Sequence, residues 1–250
     1  MSTLMRNLKT AIFFGDVKKV KKLLKSLAPI PLSKNPLIFG GYSLLKLAIK
    51  LRNRKEIAKL LIKKGARVNK KYCDESVPLL HIAIRKQHPD IVKLLVKKEA
   101  NKWSRCISND KFITEEIEKY SYCTALDLSC IYQQLKMARL FLKLNDKPNS
   151  TPLFDSNSIS IAVIRNLWKV VRLLLKYNAW ANSTISKMTI THCSRYYSRV
   201  PQTRLNSLGE NPTLLHAAIV KNNVKMVELL INHGANIHYR TKSFKRTPLI

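Results

Sequence analysis

The sequence predicts an all-α fold of about six stacked helix-turn-helix repeats with two loop insertions. A small residue marks the first helix of each repeat, at Ala11, Ala48, Ala83, Ser129, Ala162 and Ala218. An apolar triplet marks the second helix, and a glycine or asparagine usually follows it. Because one helix pair of about 33 residues cannot bury its own apolar face, neighbouring pairs must cover it. The chain is therefore predicted to be one helical solenoid over residues 1–250.

The predicted repeats follow one another at unequal spacing. The small residues lie 37, 35, 46, 33 and 56 positions apart, and the two longest gaps indicate insertions at 103–122 and 183–211. The repeats are assigned to residues 4–28, 41–71, 77–102, 123–147, 156–182 and 212–240, with an incomplete repeat at 247–250. We expect that last repeat to continue beyond Ile250, because Thr247-Pro248-Leu249 is the start of another first helix.

The second helices are recognised by their apolar triplets: Leu60-Leu61-Ile62, Leu94-Leu95-Val96, Leu140-Phe141-Leu142, Leu173-Leu174-Leu175 and Leu229-Leu230-Ile231. The first repeat has Lys22-Leu23-Leu24 instead, which suits a terminal repeat that faces water. Three residues after a triplet the helix must stop in the left-handed region, where glycine or asparagine fits best. Gly65, Asn145, Asn178 and Gly234 meet this need. Glu99 does not, and we expect a strained or altered turn there.

Two short motifs frame the repeats. The opening motif is seen in Pro78-Leu79-Leu80-His81-Ile82-Ala83 and less completely in Thr124-Ala125-Leu126-Asp127, and the closing one in Gly65-Ala66-Arg67-Val68-Asn69. They resemble the Thr-Pro-Leu-His-x-Ala and Gly-Ala-x-x-Asn motifs of the ankyrin repeat family. Tetratricopeptide and HEAT-type arrays fit the helical periodicity but lack these motifs. The resemblance implies a noncatalytic module that binds other proteins.

The resemblance also implies roles for single residues. A histidine in the opening motif, here His81 and His216, ties neighbouring turns together by hydrogen bonds in this family. The asparagine of the closing motif is a position that an intracellular oxygenase hydroxylates. The matching residues are Asn69 and Asn182, with His238 in that place in the last complete repeat.

Composition favours an intracellular monomer, cytoplasmic or nuclear. No apolar run approaches the 18 or more residues of a membrane span, and Ala11-Ile12-Phe13-Phe14 is too short for a secretory core. Five irregularly spaced cysteines argue against a disulfide framework. Lys18-Lys19-Val20-Lys21-Lys22 is similar to a nuclear import signal, but Val20 belongs to the predicted buried face of a helix.

Positive charge is the second informative feature. Lysine and arginine number 46 against 15 acidic residues, for a formal net charge of +31. The residue before the apolar triplet is cationic in four successive repeats, at Lys59, Lys93, Arg139 and Arg172. Stacked repeats place these positions side by side as a stripe suited to an acidic protein, a nucleic acid or an anionic membrane. The alternative is a solvated helix face whose lysine content reflects the composition of the gene.

The insertions are the candidate partner-binding segments. Residues 183–211 contain Arg195-Tyr196-Tyr197-Ser198-Arg199, and the 103–122 insertion begins with Trp103. Arginine, tyrosine and tryptophan present flat faces and hydrogen-bond donors, and they are the residue types enriched at interface hot spots. We therefore predict that Arg195, Tyr196, Tyr197, Arg199 and Trp103 contact a partner. A long loop is either functional or disordered, and the sequence leaves both interpretations open.

Enzyme chemistry finds no support in the sequence. It contains no glycine-rich phosphate loop, no nucleophile elbow and no His-Glu-x-x-His helix, and no Cys-x-x-Cys pair that would start a zinc site. We predict no catalytic residue, cofactor or metal. The predicted function is protein binding, with two alternatives: polyanion binding through the cationic stripe, and substrate adaptation for a ubiquitin ligase through a region C-terminal to residue 250.

Overall fold

A computed structural model gives the fold of the chain. It describes residues 3–26, 41–51, 53–69, 77–102, 123–144, 146, 148–149, 158–186, 190, 209–242 and 245–248. The chain divides into two compact units, Met1–Ala125 and Leu126–Ile250, here called the N-terminal half and the C-terminal half. Across these residues the secondary structure is helical, with twelve helices and one isolated β-bridge. The predicted all-α class is confirmed.

The N-terminal half consists of three successive helix pairs. Its first helices are α1 (Thr3–Phe14), α3 (Gly41–Lys50) and α5 (Leu79–Arg85). Its second helices are α2 (Val17–Ser26), α4 (Lys55–Lys63) and α6 (Pro89–Lys97). Within each pair the two helices pack together, and like helices also stack, α1 on α3 on α5 and α2 on α4 on α6. This half therefore has one layer of first helices and one layer of second helices.

The C-terminal half repeats the same plan. Its first helices are α7 (Ala125–Ile131), which begins at the boundary between the halves, α9 (Ser158–Ile164) and α11 (Leu214–Val220). Its second helices are α8 (Leu135–Lys143), α10 (Trp168–Lys176) and α12 (Val224–Asn232). Helix α9 packs on α10 and α11, while α10 lies between α8 and α12. That the six pairs form one continuous solenoid stays a prediction.

The core consists of the residues that define the repeat. All six small residues of the first helices, from Ala11 to Ala218, are buried to 2% exposure or less. The central residue of each triplet from Leu61 onward is also buried, including Phe141 with no exposed surface. In the first repeat the buried member is Leu24, while Leu23 is half-buried and Lys22 is exposed. Small residues let helices approach closely, and the triplets then fill the space between repeats.

The second helices end in the turn that the sequence predicts. Gly65, Asn178 and Gly234 have φ angles of 84°, 62° and 81°, and Glu99 adopts the same left-handed conformation at 58°. In each of these turns the N–H of the next residue, an alanine, donates to the carbonyl of the central triplet residue at 2.9–3.0 Å. This bond is the Schellman closure of a helix. The turn at Glu99 is therefore not altered, and strain there stays a prediction that rests on the cost of left-handed backbone to L-residues. Asn145 lies outside the described residues.

Replacing Glu99 by glycine is expected to raise the free energy of unfolding by about 1 kcal/mol, because glycine removes the left-handed penalty. Urea unfolding followed by circular dichroism measures the change. Glu99→Ala is the matched control, since it removes the same charge and keeps the Cβ. A glycine variant no more stable than the alanine variant would show that the turn stores no strain.

Candidate interaction surface

Asparagine side chains join the closing turns of successive repeats. In the N-terminal half, the Asn69 Nδ2 donates to the carbonyl of Glu99 at 2.8 Å, and its Oδ1 accepts from the N–H of Asn101 at 2.8 Å. Asn182 makes the same pair of bonds, to the carbonyl of Gly234 at 2.8 Å and to an N–H two residues later at 2.6 Å. Both asparagines therefore use the two ends of their amide to hold the next turn in register. Their hydroxylation stays a prediction.

A third asparagine, not predicted from the sequence, makes the same bridge. The Asn149 Nδ2 donates to the carbonyl of Asn178 at 2.7 Å, and its Oδ1 accepts from the N–H of Trp180 at 2.8 Å. Its spacing in the sequence could have predicted this role. Asn149 lies four residues after the predicted helix stop at Asn145, as Asn182 lies four residues after Asn178. The turn fixed in this way presents the Trp180 side chain, which is 64% exposed.

His238 stands where the last complete repeat would carry this asparagine. Its side chain is exposed, and its backbone N–H donates to the Asn236 Oδ1 at 2.8 Å, a bond within its own turn. Modification of His238 was predicted together with that of the asparagines and likewise stays a prediction.

His216 ties the start of α11 to the following turn, as the resemblance implied. Its Nε2 lies 3.2 Å from the carbonyl oxygen of Arg246, which can only accept, so Nε2 carries the proton. Its Nδ1 then accepts from the hydroxyl of Thr213 at 2.8 Å. Burial lowers the pKa of His216, which favours the neutral ring that this arrangement requires. His216 is therefore a structural residue. His81 occupies the matching position and is buried at 1% exposure, and its role in linking turns stays a prediction.

Asp127 takes the place of this histidine in the fourth repeat. Its carboxylate is buried at 4% exposure and accepts a short hydrogen bond from the hydroxyl of Ser158, at the start of α9. The opening motif therefore connects neighbouring repeats through a carboxylate here and through an imidazole at His216.

The cationic stripe differs between the two halves. In the N-terminal half, the Lys59 Nζ lies 2.9 Å from Glu56 and 3.7 Å from Asp90, so it links α4 to α6. The hydrogen bond that Lys59 donates to the Glu56 carboxylate raises the pKa of Lys59. Lys93 is exposed on α6. The charge of Lys59 is thus balanced by two carboxylates, which the row of cations alone did not indicate.

In the C-terminal half, the corresponding helix faces carry almost only cations. Arg139 on α8 and Arg172 on α10 are exposed, as predicted for members of the stripe. The position three residues earlier, which holds Glu56 and Asp90 in the N-terminal half, is lysine in all three helices of this half: Lys136, Lys169 and Lys225. Glu228 on α12, at the position that corresponds to Arg139 and Arg172, is the acidic exception in this half.

The second insertion leaves and rejoins the helices at one point. Thr184 and Thr213 form an antiparallel bridge, and the N–H of Ile185 donates to the carbonyl of Pro212 at 2.8 Å. Ile185 itself is 1% exposed. The predicted boundary at residue 183 is therefore the base of the insertion, where its two ends lie side by side. The predicted contact residues Arg195, Tyr196, Tyr197 and Arg199 lie outside the described residues, as does Trp103.

The described residues do not bring together three or more histidine, cysteine or acidic side chains in a way that could hold a metal. Cys123 and Cys130 are buried, and burial raises the pKa of the Cys130 thiol well above its usual value. That shift disfavours the nucleophilic thiolate. None of the described helices has the length and apolar content that a bilayer crossing requires.

Stacked helix pairs, left-handed closures and asparagine bridges define a helical repeat protein. The sequence-family model described as ankyrin repeats (3 copies) matches residues 8–106, and the family model of a single ankyrin repeat matches residues 212–242. Together the two matches cover more than half of the chain. The chain belongs to the ankyrin repeat family.

Similar proteins agree with this assignment. The mouse protein called ankyrin repeat and SOCS box protein 6 is 32% identical over 126 residues, which is 47% of this chain and 30% of that protein's length. The ankyrin repeat domain of Bcl-3, of the IkappaB protein family, superposes with a TM-score of 0.63 at 18% identity, covering 97% of this chain and 92% of that domain. The human ASB11 ankyrin repeat domain gives 0.58 at 17% identity, with coverages of 97% and 89%. These two structures share the fold.

Proposed function

We propose that the chain is a noncatalytic module that binds another protein. Its membership of the ankyrin repeat family carries this proposal, because repeats of this kind present an extended surface built from equivalent positions of successive units. Two buried polar side chains, Asp127 and His216, join neighbouring repeats. We assign the partner-binding surface to exposed turns and insertions.

The exposed tryptophan of the C-terminal half supports a partner site there. Trp180 is 64% exposed, on a turn that Asn149 and Asn182 hold from both sides. A large side chain on a rigid support loses little conformational entropy on binding, and tryptophan is a preferred hot-spot residue. The second insertion begins only a few residues later, at residue 183. We therefore place the partner site on Trp180 together with Arg195, Tyr196, Tyr197 and Arg199.

Two variants with four substitutions each test this proposal. The amount of each cellular partner that they capture is measured with and without nuclease. The insertion variant changes Arg195, Tyr196, Tyr197 and Arg199 to alanine. The stripe variant changes Lys59, Lys93, Arg139 and Arg172 to glutamine. We expect the insertion variant to lose at least about tenfold in partner recovery, because hot-spot side chains dominate binding energy. The stripe variant should lose only weak, salt-sensitive binding, since rim charges mainly affect association rate.

The opposite pattern would refute this choice of surface. If the stripe variant abolished partner recovery while the insertion variant kept it, the electrostatic alternative would replace the protein-binding proposal. Nuclease treatment separates the two sources of capture, because a partner held through bound nucleic acid disappears on digestion. Thermal unfolding of both variants controls for loss of structure.

A second candidate function is that of a substrate adaptor for a ubiquitin ligase. The observation that favours it is the 32% identity to ankyrin repeat and SOCS box protein 6, a protein whose name records a further region beside its repeats. In this proposal the ankyrin repeats bind the substrate and a segment beyond residue 250 recruits the ligase. Sequencing the transcript beyond the codon for Ile250 tests this proposal. A stop codon directly after it would refute the adaptor function and leave the protein-binding proposal unaffected.

A further inference from the structure

Two lysines from different helices converge on one tryptophan ring in the C-terminal half. Trp168 is the first residue of α10 and is half-buried. The Lys169 Nζ lies 5.7 Å from the centroid of its ring, and the Lys225 Nζ, from α12, lies 5.9 Å from it. Ammonium groups within about 6 Å of an indole are attracted by its electron-rich face. One indole ring therefore has two ammonium groups beside it at the protein surface.

These two lysines belong to a larger array of exposed cations. Helix α8 carries Lys136, Arg139 and Lys143, and helix α10 carries Lys169, Arg172 and Lys176. Residues three or four apart on a helix lie about 5–6 Å apart on the same face, and packed helices are about 8–10 Å apart. Because α8 packs on α10 and α10 on α12, the array is a two-dimensional field of positive charge beside Trp168, and α12 also carries the exposed Glu228.

Folding does not account for this arrangement. The partial positive charge at the start of a helix favours acids and disfavours lysine. In the N-terminal half, α4 and α6 follow that preference with Glu56 and Asp90 in their first turns, whereas α2 has no acid there. In the C-terminal half, α10 and α12 have no acidic residue in the first turn. Among the residues described there, no carboxylate lies within ion-pair distance of Lys169 or Lys225. The charge is thus available to a ligand.

We propose that this field, here called the Trp168 surface, binds single-stranded nucleic acid through its phosphates and stacks a base on Trp168. A flexible strand can place successive phosphates along the cations of α8 and α10. A nucleotide also supplies the two partners that the centre of the surface requires. Its phosphate is an anion for the two ammonium groups, and its base is a flat ring that can stack on the indole. Proteins that bind single strands combine a positive track with aromatic stacking in this way. An acidic peptide offers carboxylates without the ring, so it satisfies only half of the site.

The Trp168 surface contains no residue of the 183–211 insertion, so this proposal does not depend on the partner site proposed there. Of the four predicted stripe positions it includes Arg139 and Arg172. The other two, Lys59 and Lys93, lie in the N-terminal half, where Glu56 and Asp90 balance the charge of Lys59. The Trp168 surface lies wholly within the C-terminal half.

Fluorescence anisotropy of a labelled oligouridylate of about 20 nucleotides tests the proposal across a range of salt concentrations. The first variant is Lys169→Gln with Lys225→Gln. We expect it to weaken binding and to reduce the slope of log affinity against log salt by about 1.4, because each phosphate contact in a single strand contributes about 0.7. The matched control is Lys93→Gln with Lys97→Gln on α6, which removes the same charge from the N-terminal half and should change the slope far less.

The second variant, Trp168→Leu, separates stacking from charge. We expect it to weaken binding by roughly 10- to 100-fold with an unchanged salt slope, because stacking on an aromatic residue releases no counterion. Trp168→Phe retains a ring and should restore most of the affinity, which also guards against a variant that fails to fold. In a Trp103→Phe, Trp180→Phe background, the remaining indole fluorescence should be quenched when the oligouridylate saturates the protein.

Three results would overturn the proposal. Equal losses in the two lysine pairs would mean that the affinity reflects net charge alone. An unchanged affinity of Trp168→Leu for the oligouridylate would show that no base stacks on Trp168. Tighter binding of polyglutamate, or of vesicles of phosphatidylcholine and phosphatidylserine, than of the oligouridylate at physiological salt would assign the surface to an acidic protein or a membrane. The insertion variant of Arg195, Tyr196, Tyr197 and Arg199 should bind the oligouridylate normally, so failure of the partner-binding proposal would be seen separately.

Discussion

Replacing Leu95 by alanine is expected to lower the free energy of unfolding by about 2–5 kcal/mol. Leu95 is the central triplet residue of α6 and has no exposed surface. Helix α6 packs on α4 and on α5, so the deleted atoms leave a cavity between two repeats as well as within one. Urea or thermal unfolding followed by circular dichroism at a helical wavelength measures the loss.

Leu94→Ala is the matched control for this cavity. Leu94 precedes Leu95 in the same triplet and is half-buried, so its truncation removes the same atoms from a partly solvated position. We expect it to cost clearly less than Leu95→Ala. Equal costs at the two positions would contradict the assignment of Leu95 to the seam between repeats, because the loss would then follow helix propensity and not cavity formation.

The repeat pattern predicted the fold well because each element depends on local sequence. The small residues and the central triplet residues from Leu61 onward are buried where the sequence places them, and the described helix stops are left-handed, including Glu99. The turns between the two helices of a repeat were less predictable. Gln87 and Gln133 are left-handed there, with φ angles of 55° and 54°, although glutamine carries no signal for that conformation. The hydrogen bonds of the turn impose this conformation. The N–H of the residue after each glutamine donates to a carbonyl of the first helix, that of Ala83 or of Ser129.

The candidate sites were less predictable because they depend on which repeats lie next to each other. The pairing of Lys59 with Asp90 requires the register of α4 against α6, and the approach of Lys225 to Trp168 requires that of α12 against α10. The register of α10 against α12 does not follow from periodicity alone, because the insertion at 183–211 separates those two repeats. Asn149 is different, since its spacing after Asn145 was present in the sequence and was missed because the intervening residues depart from the closing motif.

The asparagine bridges explain how repeats stay in register across an insertion. Asn69 reaches a turn one ordinary repeat ahead, at Glu99. Asn182 makes the same bond to Gly234 although residues 183–211 intervene in the chain. The bridge is possible because the ends of that insertion meet, at Thr184 and Thr213. The last repeat is therefore attached by its closing turn as well as by the packing of α9 on α11 and α10 on α12.

Removing one bridge is therefore expected to loosen the last repeat before the rest of the chain. Asn182→Ala deletes the bonds to Gly234 and to the N–H of Asn236, and should cost about 1–2 kcal/mol, since each hydrogen bond contributes about 0.5–1.5 kcal/mol. Native-state hydrogen exchange should show faster exchange in α11 and α12 while α3 to α6 keep their protection. Asn232→Ala, an exposed position at the end of α12, is the control and should stay within about 0.5 kcal/mol of the wild type. Exchange that rises equally in α3 to α6 would show that Asn182 supports global stability and not the attachment of the last repeat.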